Sequence, residues 1–167
     1  HLLYDTRGCM APAAVFVVGD GRQLFDALLE ALPLANFAVP GGRAEPSMGP
    51  EVRRRLGLAR AVGLAATGDG WSVALLPAAH FSPVALPRFI TLHPVANAAS
   101  VRRVLSPWRS HLSTLGTDDM LRAHREGGDW LEVFSWFPRI DGPGRMQRPT
   151  FPRLHDGRPM LGSLMRP

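Results

Sequence analysis

With 167 residues, 46% of them apolar, the chain is long enough for one domain with a real hydrophobic core. No stretch approaches the roughly 18 unbroken apolar residues that a membrane helix needs, which argues against a membrane protein. The formal charge of +5 would draw anions, but the arginines that carry it are spread along the sequence without interleaved aromatics, so nucleic acid is not the expected partner.

Ala13 to Val18 is a short Val-rich run suited to a strand buried on both faces. Asp20 and Gly21 end it. Asp20 is placed to cap the next helix, along which Leu24, Phe25, Leu28, Leu29 and Leu32 recur at helical spacing until Pro33 stops the pattern. Pro40 to Pro50 reads as a surface loop from its prolines and glycines. A second helix is expected from Glu51 to Ala66, with Val52, Leu56, Ala59 and Val62 on one side, Gly68 beyond its end, and Arg53, Arg54 and Arg55 on a solvated face.

Trp71 to Leu76 is the next strand, Pro77 to Pro87 is made irregular by its prolines, and Arg88 to Val95 returns to β character. Asn97 can cap a helix carrying Val101, Val104 and Leu105, which Pro107 kinks or ends. A short strand near Leu112 to Leu115 follows, then a short helix opened by Thr117, Asp118 and Asp119 and closed by Gly127 and Gly128, then a last strand from Trp130 to Trp136. Strands alternating with helices predict an α/β fold of three layers, a largely parallel sheet flanked by helices. That assigns residues 1–137 to one α/β domain. Residues 138–167, rich in Pro, Gly and Arg and without apolar periodicity, read as an irregular tail that docks on a missing domain or another subunit.

Cys9 is the one cysteine, so no internal disulfide is possible and a reducing cytoplasm suits the chain. The lone thiol has two readings: a small buried hydrophobe, or a nucleophile. Gly8 leaves room for a substrate to approach, Arg7 favours the thiolate, and Pro12 together with the polar residues ahead of Cys9 suggests a turn at the mouth of a strand.

The string Asp5-x-Arg7-Gly8-Cys9-x-x-Pro12 resembles the active-site region of the aldehyde dehydrogenase superfamily. It is closest to the acyl-CoA reductases that supply long-chain aldehyde in bacterial luminescence. Phe81-Ser82-Pro83, Pro87-Arg88, His111-Leu112-x-Thr114-Leu115-Gly116 and Gly144 to Pro149 are similar to stretches of those reductases in the same order. The resemblance implies an aldehyde dehydrogenase-like catalytic domain in which Cys9 takes the acyl group of an acyl-CoA as a thioester and NADPH then reduces it to an aldehyde. The Cys9 amide would be one oxyanion donor. It also implies a dinucleotide-binding domain upstream in the same polypeptide and a homo-oligomer. A start at His1, without Met or a charged-then-apolar leader, fits a piece of such a longer chain. In the related oxidative enzymes a Glu-x-Phe-Gly-Pro segment holds the nicotinamide ribose. Here the matching stretch is Ala79-His80-Phe81-Ser82-Pro83, so only Phe81 carries over as a cofactor contact and the carboxylate has no counterpart. The alternative is a catalytically degenerate domain of the same fold with a structural or acyl-binding role.

The histidines are too scattered for a metal pattern, and no metal is expected. His155-Asp156-Gly157 is a turn sequence before it is a catalytic pair. Arg139, Arg145 and Arg148 have two equal readings, as partners of CoA or NADP phosphates or as a docking surface.

Overall fold

The inner strands of the main sheet are β-branched, aromatic and aliphatic sequences buried on both faces. In this computed structural model the described residues are 3–6, 11–42, 48–83, 86–118 and 128–148, with the backbone of residues 154–155 and 158–159. The chain divides into two compact units, His1–Asn97 and Ala98–Pro167.

In the first unit β1 (Val15–Val18) leads into α1 (Arg22–Ala38) and α2 (Met48–Val62). These are followed by β2 (Leu64–Gly68), β3 (Trp71–Leu75) and β4 (Phe89–Val95). The sheet order is β1-β4-β3-β2, with β4 parallel to both of its neighbours and β2 antiparallel at the far edge. Because side chains alternate along a strand, the register sorts the core into two faces. Val73, Leu75, Ile90 and Leu92 meet Phe25 and Leu32 of α1, whereas Ala74, Leu76 and Phe89 meet Leu56 and Ala59 of α2. The unit is therefore a mixed α/β structure, with a mostly parallel sheet flanked by helices. Ala59 and Ala74 are both fully buried, and their small side chains bring α2 close to the sheet.

Pro94 sits within an inner strand without breaking it. The carbonyls of Arg88 and Leu92 accept from the amides of Ser72 and Leu76, so even-numbered residues of β4 face β3. By Pro94 the β3 pairing has ended at Leu75, and the missing amide has no ladder partner to lose.

The first helix starts where expected, with the Asp20 carboxylate accepting the Arg22 amide at 2.9 Å. Gly21 ahead of it has φ 74, and a Cβ there would lie 2.9 Å from Leu75 Cδ1, so only glycine fits this turn. Pro33 does not stop α1, which continues to Ala38. Pro33 lies on an exposed stretch where water can satisfy the carbonyl it leaves without an amide, and the last turn is held by contacts of Asn36 and Val39. The second helix is also shifted: it ends at Val62, and residues 64–66, expected to be helical, belong to β2. Asp69-Gly70, with Gly70 at φ 73, is the tight turn that folds β2 back on β3, a hairpin signal the helical pattern had obscured.

The second unit opens with α3 (Ala98–Leu105), which passes at Pro107 into a 3-10 turn over Ser106–His111. Next come β5 (Thr114–Gly116), α4 (Trp130–Ser135) and β6 (Arg139–Asp141). The short strands β7 (Leu154–His155) and β8 (Arg158–Pro159) end the described chain and pair antiparallel on either side of Asp156 and Gly157. β5 and β6 pair in parallel, so this small sheet joins residues on either side of position 137. Residues 130–136 are helical rather than extended: Trp130, Val133 and Phe134 have helical spacing, whereas a strand would have aligned the charged Glu132 with the apolar residues. The helix expected after Thr117 lies mostly outside the described residues.

Leu92 is fully buried between β1 and β3 on the α1 face. Leu92→Ala is expected to lower unfolding free energy by about 2–5 kcal/mol, read from urea denaturation with an unchanged m-value.

Candidate active site

Cys9 lies outside the described residues, together with Arg7 and Gly8. The residues just before it are described, and they are held unusually firmly. Asp5 and Thr6 end a 3-10 turn (Leu3–Thr6) with φ 52 and φ 64, a region that non-glycine residues seldom occupy. Their side chains converge on Arg88, itself at φ 49 and 5% exposed. The Arg88 amide donates to Thr6 Oγ1 at 3.0 Å, and its Nε donates to the Asp5 carboxylate. Its Nη1 donates to Asn36 Oδ1 and its Nη2 to the Val39 carbonyl at 2.8 Å. The second Asp5 oxygen accepts the Gly42 amide at 3.0 Å, and Asn36 Nδ2 donates to the Asp69 carbonyl at 2.9 Å. This network stands at the amino end of β4 and at the turn that precedes β3.

Phe81 lies at the other end of β4. It follows a 3-10 turn (Ala78–His80) after β3, and its ring is 5.4 Å from that of Phe16 and 5.6 Å, edge-on, from His93. Arg88 and His93 are separated by roughly 16 Å of extended strand. The described residues therefore bring Phe81 together with Phe16 and His93, not with the Asp5–Arg88 network. Phe81 is half-buried.

His93 was invisible as a special residue in the sequence. It is 1% exposed, with neither ring nitrogen hydrogen-bonded among the described residues. Burial pushes it below its ordinary pKa. The nearby carbonyls of Pro77 and Leu76 oppose that shift without reaching hydrogen-bond geometry, and electrostatic repulsion from His80 and Arg55 reinforces it. On the same face Arg55 donates to Ser82 Oγ at 2.6 Å and to Glu51 at 3.2 Å. Hydrogen bonds from Arg54 and then Arg55 hold Glu51 down to about 2.

Arg139 is engaged by groups of its own unit. Its guanidinium binds the Asp141 carboxylate and the carbonyls of Met146 at 3.0 Å and Arg145 at 3.1 Å, closing the turn that follows β6. Arg145 and Arg148 are exposed. Among the described residues no group of His, Cys, Asp and Glu is placed to hold a metal ion, and no helix is long and apolar enough to cross a membrane.

The family model described as acyl-CoA reductase (LuxC) matches residues 2–167. The chain belongs to this family. Family membership implies fatty acyl reductase activity, an oxidoreductase chemistry that ends in a fatty aldehyde. A search of curated proteins finds no significant match. The match runs through Asp5, Cys9, Phe81 and Arg88, so the reductase assignment and the two clusters above concern the same stretch of chain.

His93 generates a pH prediction. Unfolded, it binds a proton near its ordinary value of 6.5, and folded it resists protonation. Its contribution to stability is complete above that pH and is lost as the pH falls below it. His93→Leu should flatten the decline in unfolding free energy between about pH 6.5 and pH 5 while leaving stability at pH 8 unchanged or higher, because two unsatisfied buried nitrogens are removed. Urea melts across this range read the difference.

Proposed function

We propose that the chain is the Cys-bearing catalytic part of a larger NADPH-dependent acyl-CoA reductase, with an aldehyde dehydrogenase-like fold and Cys9 as its nucleophile. The observation that carries this reading is the family match over residues 2–167, which takes in the one cysteine of the chain within Asp5-x-Arg7-Gly8-Cys9. A three-layer unit with a mostly parallel sheet is the expected kind of scaffold.

In the proposed reaction the Cys9 thiolate attacks the thioester carbonyl of acyl-CoA. The C–S bond to CoA breaks, CoA leaves as a thiolate that takes up a proton, and the acyl group remains on Cys9. The Cys9 amide is the donor assigned by this reading to the oxyanion of this step, and losing such a donor typically costs on the order of 100-fold in rate. When bound, NADPH supplies the hydride that turns the enzyme thioester into an aldehyde and returns Cys9 to the thiolate. Phe81 is the residue of this chain assigned to that cofactor: its ring is backed by Phe16 and His93 and is suited to an apolar contact with the nicotinamide. Ala79 stands where the oxidative enzymes carry a ribose-binding carboxylate, so this chain offers no acidic partner to the ribose from that position. The remaining cofactor contacts are assigned to an upstream domain of the same polypeptide, in a cytoplasmic homo-oligomer.

The test uses the full-length enzyme and acyl-CoA carrying a labelled acyl group. One label per chain is expected on Cys9, removed by thiols and discharged as aldehyde when NADPH is added. Cys9→Ala should abolish the label and lower turnover by on the order of 10⁴-fold or more. An enzyme that forms aldehyde with the label never on Cys9 would disprove the reading.

A further inference from the structure

Among the described residues Arg88 is the one buried arginine, and its Nε, Nη1 and Nη2 all donate to protein acceptors. A buried guanidinium is costly unless its donors are paired, so the arrangement has to be explained by what it joins. Both apolar cores of the unit are built without it, from apolar side chains of the sheet and of α1 or α2. What Arg88 joins is the segment ahead of Cys9 to three other parts of the unit: the start of β4, the last turn of α1 through Asn36, and the chain after it through Val39. Gly42 adds a further hydrogen bond to Asp5. Asp5 and Thr6 hold positive φ angles that they would rarely adopt unaided.

Cys9 lies only three positions after Thr6, and a fully extended chain covers at most about 11 Å over that distance. A rigid anchor at Asp5 and Thr6 therefore limits where the sulfur can go. We infer that Arg88 and Asp5 are positioning residues for the reductase reaction, an ionic bracket that fixes the run-up to Cys9 and so sets the aim of the nucleophile. The inference rests on the reading of Cys9 as the nucleophile. The bracket has a second effect, because Arg88 neutralises a carboxylate that lies within chain reach of the thiol and that, left unpaired, would oppose thiolate formation. Neither residue is required to touch substrate.

The experiment compares full-length wild-type enzyme with Asp5→Asn, Arg88→Lys and Arg88→Met. It measures the single-turnover acylation rate at saturating acyl-CoA, the KM, and the pH dependence of Cys9 alkylation by iodoacetamide. Asp5→Asn and Arg88→Lys should slow acylation by on the order of 10- to 100-fold with KM changed by no more than about twofold, since a misaimed nucleophile affects the chemical step rather than binding. The alkaline limb of alkylation should move to lower pH in Asp5→Asn and to higher pH in Arg88→Met, opposite directions that a general loss of stability does not produce. If Arg88→Met fails to fold, Asp5→Asn and the conservative Asp5→Glu, expected to restore the wild-type pH profile, decide the question. Wild-type enzyme acylated on Cys9, alongside variants that acylate at the wild-type rate and pH, overturns the bracket and leaves the nucleophile intact. Wild-type enzyme that never takes a label on Cys9 removes the nucleophile and the bracket with it.

Discussion

Strand β4 is the constraint on which the first unit depends. It is parallel to a neighbour on each side, and the two-residue alternation of its side chains decides what each face of the sheet becomes. Ile90 and Leu92 point to α1, Phe89 points to α2, and the same alternation places His93 on the α2 face beside Phe16 and Phe81. A one-residue slip would exchange the two faces and send His93 into the α1 core. The two buried groups that need a physical explanation, Arg88 and His93, thus stand at the head and near the tail of one strand.

These two groups handle burial in opposite ways. Arg88 keeps its charge and is compensated by a carboxylate, an amide oxygen and a carbonyl drawn from separate parts of the chain. His93 gives up its charge, since it has aromatic rings for neighbours and no hydrogen-bond partner among the described residues. The first arrangement organises polypeptide that would otherwise have little to hold it, because the 3-10 turn before Cys9 belongs to neither sheet nor helix core. The second supports a half-buried Phe81 from behind. The proposed nucleophile and the proposed cofactor contact are thereby served by opposite ends of the same strand.

Where the apolar pattern was long and of one period, the elements were legible. The start of α1, its cap at Asp20, the strands β1, β3 and β4, and α3 all follow from residue order. Failures came where two periods competed or where a local rule met a tertiary contact. Residues 130–136 are a short apolar run that suits strand or helix, and the burial of Val133 and Phe134 at helical spacing decided for helix. Leu64 to Ala66 looked like the continuation of a helix until the Asp69-Gly70 turn and pairing with β3 made them part of a strand. Pro33 looked like a stop, yet it faces solvent and α1 continues to a last turn tied down by Arg88.

The sequence by itself determined the class of fold, the family, and the short list of residues on which chemistry could rest, because those depend on composition, period and local motif. Asp5 and Arg88 were both present in the matched motifs, but nothing local relates them: they are 83 positions apart, and only the folding of α1 against the start of β4 brings a carboxylate and a guanidinium together in a buried place. The same holds for His93, whose pKa is lowered by burial among neighbours that include rings from β1 and from the turn after β3. Desolvation and long-range pairing are properties of packed surroundings, so they were decided by the tertiary structure alone.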